Sequence, residues 1–193
     1  MDLSTRLGTE KIQRQALLVL YDHLNDMISA MQGTWVAEDD QFWSSLNRGR
    51  QEWFVEPIED INFYSGTIPS LITAPIENYP NVCTIAYIAT PPNSLDDDGE
   101  LYTDVLAIEV MVKSINSEEE VNSRIQKTLD AINLTFMDSL ENRTLYNTIP
   151  KLNAPRQTIG DVFLRREQTS IGDKWWWQGG SLEYVVNKYV DFS

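Results

Sequence analysis

The chain has 193 residues, of which 42% are hydrophobic, so it can form one domain with a sizeable core. Its 29 acidic residues outnumber its 15 basic ones, which gives a formal net charge of −14 and an isoelectric point near 4.3. This balance disfavours non-specific binding to nucleic acid and to anionic membranes, because both need clustered Lys and Arg. Cys83 is the only cysteine in the sequence, which excludes an internal disulfide.

Neither a signal peptide nor a membrane span is expected from the sequence. The first ten residues lack a basic region followed by an apolar stretch. No apolar run approaches the roughly 20 residues that a transmembrane helix needs. We therefore expect the chain to be made and folded in a cytoplasm.

The first predicted element is an amphipathic helix over residues 9–32. Its hydrophobic positions recur at steps of three and four: Leu17, Leu20, Leu24, Met27, Ile28 and Met31. Gly33 is the predicted stop, because glycine is the residue most often found just past a helix C-terminus.

Residues 34–80 form an aromatic and proline-rich segment without a clean period. Four prolines interrupt any long element in its second half. We predict a short helix over residues 41–46, a short strand over residues 53–55, and extended chain elsewhere.

Two strands are predicted next, on either side of an acidic run. Residues 82–89 are apolar and β-branched, and residues 104–113 alternate so that every second side chain is aliphatic. Between them, Asp96, Asp97, Asp98 and Glu100 are expected to form a solvated loop.

The most regular helical pattern covers residues 117–140. Ser117 followed by Glu120 is typical of a capping box, and the acidic first turn favours the positive end of the helix dipole. The predicted buried stripe consists of Val121, Ile125, Leu129, Ile132, Phe136 and Leu140.

The C-terminal third is expected to be β-structure. We predict strands over residues 162–171 and 182–190, with a turn or bulge at Gly179 and Gly180. The whole pattern predicts a single α+β domain over residues 1–193, with a small mixed or antiparallel β-sheet packed by two main helices. Residues 81–193 would supply the main sheet and its helix 117–140, and residues 34–80 an irregular insert.

Few groups in the sequence are candidates for catalysis. His23 is the only histidine, so a single chain cannot build a metal site from several histidines. Any catalytic triad with a histidine base would have to use His23. Cys83 falls in a predicted buried strand, where a cysteine is more often a small core residue than a nucleophile. Glycine-rich phosphate loops are absent. We therefore expect no enzyme activity and no cofactor.

Residue spacing disfavours two candidate metal sites. Glu109 and Lys113 lie on one predicted strand, as in restriction-type nucleases, but they are about 13 Å apart and the residue two before Lys113 is Met111. The acidic run near residue 98 lacks the spacing of a Ca²⁺-binding loop. A solvated charged loop remains the simpler interpretation.

Trp175, Trp176 and Trp177 are the most unusual local feature. In a strand their rings alternate, so Trp176 would lie on the face opposite the other two. A strand buried on both faces is one explanation. We favour a subunit interface, because Trp is enriched at binding hot spots; carbohydrate stacking is a further alternative.

Three segments together resemble a known family. They are G-T-I-P-S-L-I-T-A-P-I-E-N-Y-P at residues 66–80, the region around residues 106–132 with I-E-V-M-V-K-S and L-D-A-I-N, and the ending from R-R-E-Q to S-L-E-Y-V-V. They look like the tail terminators and related head–tail completion (neck) proteins of tailed bacteriophages, over about two thirds of the chain.

The resemblance implies a mixed sheet with helices against it and a purely structural role. Such proteins form a six-fold homo-oligomeric ring that caps the tail tube and joins it to the head–tail connector or stopper. DNA passes through the ring without specific binding, and neither cofactor nor membrane is involved. The protein would then reside in the neck or tail of the virion after assembly in the host cytoplasm.

Within that hypothesis, the tryptophan cluster is the candidate subunit interface. Asp96, Asp97, Asp98 and Glu100 are the candidate acidic lining of the ring's lumen or edge. Two alternatives stay open: another neck component, such as a stopper or connector adaptor, and a carbohydrate-binding or hydrolytic module that uses the tryptophans.

Overall fold

A computed structural model describes residues 9–48, 54–59, 62–65, 82–88, 94–96, 99–114, 117–141, 155–166 and 174–191. The elements in chain order are α1 (Thr9–Ser45), β1 (Phe63–Ser65), β2 (Val82–Ile88), β3 (Ser94–Asp96), β4 (Gly99–Ser114), α2 (Glu118–Glu141), β5 (Arg156–Arg166) and β6 (Lys174–Asp191).

In the described residues, six strands form one mixed sheet in the order β1-β2-β4-β6-β5, with β3 paired to the beginning of β4. The pairing of β1 with β2 is parallel, and the other pairings are antiparallel. The long strands β4 and β6 form its centre. The predicted α+β class, with two main helices on a mixed sheet, is confirmed.

Both helices pack on the same face of this sheet. The core combines the alternating aliphatic side chains of β4, such as Leu106 and Ile108, with the apolar stripes of α1 and α2. On α2, five of the six stripe positions are almost fully buried: Val121, Ile125, Leu129, Ile132 and Phe136. The side chain of the sixth, Leu140, lies outside the described residues.

The first helix is longer than predicted. It continues through Gly33 to Ser45, so the stop at Gly33 and the separate short helix over residues 41–46 are both wrong. Trp35 and Trp43 extend the buried stripe of α1 beyond the glycine. A single glycine inside a helix costs only about 1 kcal/mol, and burial of two indole side chains outweighs that cost.

The actual end of α1 is a Schellman motif. Asn47 has a φ of 53°, in the left-handed region that asparagine tolerates better than most residues. The N–H of Asn47 donates to the Ser44 carbonyl, and the N–H of Arg48 donates to the Trp43 carbonyl. These two bonds satisfy carbonyls that the ended helix leaves without partners.

Residues 54–59 contact α1 and have no regular secondary structure, so the strand predicted over residues 53–55 is wrong for residues 54 and 55. Trp53 lies outside the described residues. Asn25 pairs with both backbone polar groups of Ile58: its Nδ2 donates to the Ile58 carbonyl at 2.8 Å, and its Oδ1 accepts from the Ile58 N–H at 2.9 Å. Two turns along, Gln32 donates to the Val55 carbonyl at 2.6 Å. Polar side chains of α1 thus replace the partners that a sheet would supply.

The sequence predicted a turn or a bulge at Gly179 and Gly180. Both residues lie inside β6, so the predicted turn is wrong. The bulge is on the partner strand, where the register shifts so that two β5 residues oppose Gly179 alone. Gln178 is buried and its Nε2 donates to the carbonyl of bulged Gly160 at 2.8 Å. The strand predicted over residues 162–171 begins earlier in the structure, at Arg156, and residues 167–171 of the prediction lie outside the described residues. The last strand also begins earlier than predicted, at Lys174.

Candidate subunit interface

The tryptophan cluster lies at the beginning of β6, between β4 and β5. Trp176 pairs with Ser114 of β4, and Trp177 pairs with Lys113. The register therefore places Trp176 on the face that the helices cover and Trp177 on the other face. Trp176 is partly buried and packs against the core, and Trp177 is half-buried.

The placement of the tryptophans on opposite faces of the sheet limits which of them can bind a partner together. Trp175 shares the face of Trp177 by its strand position, but its side chain lies outside the described residues. Three rings on two faces cannot form one flat platform for a sugar. Trp176 contributes to the fold of its own chain, which leaves Trp177, with Trp175, as the candidate contact with another subunit.

Two residues of the acidic run lie on the paired strands β3 and β4. Asp96 is the last residue of β3 and Glu100 is the second residue of β4, so these two belong to paired strands and not to the predicted solvated loop. The expectation is wrong for them because β4 extends five residues upstream of its predicted beginning, to Gly99. Asp97 and Asp98 lie outside the described residues.

The two candidate sites lie at opposite ends of the sheet. Glu100 is near the beginning of β4, and Lys113, beside Trp177, is near its end. Thirteen strand residues span roughly 44 Å at the usual rise. The β3–β4 pair and the tryptophans therefore belong to two separate surfaces, not to one site.

A buried ionic cluster joins the end of β4 to the beginning of α2. Arg124 is only 8% exposed; its Nη2 contacts Glu120 at 2.8 Å and its Nη1 contacts Glu56 at 3.2 Å. Nη1 also donates to the Lys113 carbonyl at 3.1 Å, and the Ser114 hydroxyl donates to Glu120. The arginine thus ties α2 to β4 and to the extended segment 54–59.

The predicted capping box at the beginning of α2 is only half present. The Ser117 hydroxyl accepts from the Glu120 N–H at 3.1 Å, as an N-cap should. The Glu120 carboxylate, however, turns to Arg124 and Ser114. The spacing of Glu120 and Arg124, four residues apart on a helix, was visible in the sequence and is the signal that could have indicated the pair.

The seam between α1 and α2 carries more negative than positive charge. One turn after Arg124, Lys127 is also buried, and its Nζ contacts Asp39 of α1 at 2.5 Å. One turn further along α2, Asp130 is close enough to Glu38 of α1 for the two carboxylates to repel each other. Partial burial and the Glu38 carboxylate raise the pKa of Asp130 above its ordinary value of 3.8.

Other ionisable groups of the described residues lie apart from this cluster. In the part of the chain that the structure describes, no three His, Cys, Asp or Glu side chains are grouped to hold a metal ion. His23 lies exposed on α1. Tyr184 is buried, which raises the pKa of its phenol, and its hydroxyl contacts the Asn133 side chain at 3.1 Å in a structural role.

Over the described ranges, no helix is both long and apolar enough to cross a membrane. No protein-family model matches the chain, and no curated protein matches it.

Proposed function

We propose that the chain is a structural protein of the neck of a tailed bacteriophage, a tail terminator that forms a homo-oligomeric ring. The ring caps the tail tube and joins it to the head–tail connector. The observation that carries this proposal is the placement of both long helices on one face of a single mixed sheet, the arrangement that the family resemblance implies.

The resemblance also falls on the structural centre of the molecule. The described residues of its second segment belong to β4 and α2 and the N-cap of α2, and those of its third segment lie at the end of β5 and within β6. Segment 66–80 lies outside the described residues. The net charge of −14 supports a ring whose lumen does not hold DNA by attraction.

The first test is assembly. The native mass of the purified protein is measured over a wide concentration range, alone and with tail-tube or connector protein, and the products are imaged by negative stain. A closed ring that caps tubes supports the proposal. A ring that binds connector but never tube identifies a stopper or adaptor instead, and a strict monomer with both partners refutes a ring.

Two neighbouring tryptophans provide a matched pair for the interface. Trp177→Ala is expected to weaken assembly with little loss of fold stability, since Trp177 lies on the face away from the helices. Trp176→Ala should mainly destabilise the fold, by about 1–3 kcal/mol, because its ring packs on the core. Equal loss of stability in both variants, with assembly intact, would remove Trp177 from the interface.

A glycan-binding module remains the competing class. It predicts that Trp177→Ala abolishes retention on a glycan array without changing native mass. If neither the wild-type protein nor the variant binds any glycan, the tryptophans have no such role.

A further inference from the structure

We draw no further inference here: the strongest candidate, the face of the β-sheet opposite the two helices, around Met111 and Trp177, belongs in part to the subunit contact already proposed for Trp177, and nothing in the structure shows what covers the rest of it.

Discussion

Gly180 sets how closely α2 approaches the sheet. A Cβ atom placed at this position would lie 2.9 Å from Leu129 Cδ1, 3.1 Å from Ile125 Cγ1 and 3.3 Å from the Thr158 carbonyl oxygen. Leu129 and Ile125 are fully buried in the core, so they have little room to move. The next residue back, Gly179, offers a matched control, since the nearest atom to its Cβ would be the Val110 carbonyl oxygen at an ordinary 3.7 Å.

The two alanine substitutions should therefore change the free energy of unfolding in opposite directions. Replacing a glycine within a strand gains about 0.5–1 kcal/mol, because the unfolded chain loses conformational freedom. Gly179→Ala keeps that gain. At Gly180 the overpacking costs about 1–3 kcal/mol, which leaves a net loss of roughly 1 kcal/mol, and Gly180→Val should lose more.

Urea unfolding followed by circular dichroism measures both free energies under one set of conditions. For a chain of this length, 1 kcal/mol corresponds to a shift of about 2–4 °C in melting temperature, which gives an independent check. If Gly180→Ala were as stable as Gly179→Ala, α2 would not lie against β6 as closely as the structure has it. The close contact of Leu129 and Ile125 with Gly180 would then be refuted.

Three further predictions concern charge and helix continuity. Arg124→Ala should destabilise the fold by about 3–5 kcal/mol in urea titration, because it leaves the buried Glu120 carboxylate without its cation. Adding Glu120→Gln to this variant should recover part of the lost stability. A double variant with no recovery would contradict the coupling of Arg124 and Glu120. Gly33→Ala should stabilise the fold by about 0.5–1 kcal/mol, since nothing lies within 4 Å of the added methyl group and the position is inside a helix; a destabilised variant would argue against one continuous α1. Asp130→Asn should stabilise the fold at neutral pH by a few tenths of a kcal/mol. The folded-state pKa of Asp130 is the higher one, so its contribution to stability falls as pH rises through the window above 3.8. The advantage of Asp130→Asn should disappear when stability is measured below that pH, and an advantage that persists in acid would exclude repulsion from Glu38 as its cause.

The candidate interface and the contacts between the helices could be anticipated from the sequence only in part. That Trp176 and Trp177 lie on opposite faces follows from strand alternation alone. Which of them the helices cover depends on the pairing of β6 with β4, which local sequence does not specify. The contact of Lys127 with Asp39 joins residues 88 positions apart, and no periodicity connects them.

The sequence by itself determined the elements whose pattern is local and uninterrupted. The apolar stripe of α2, the Ser117 cap and the alternation of β4 each follow from side-chain spacing over a few turns or strand residues. The net negative charge of the chain likewise follows from its composition alone.

Tertiary structure decided the features in which packing competes with a local preference. Gly33 favours a helix end, yet α1 continues because Trp35 and Trp43 are buried beyond it. Glu120 favours the capping position, yet Arg124 holds its carboxylate. At Gly33, burial of the two tryptophans is worth more than the local preference of about 1 kcal/mol that it overrides. At Glu120 the competing partner is a neighbour one helical turn away, which long-range contacts with Glu56 and the Lys113 carbonyl hold in place.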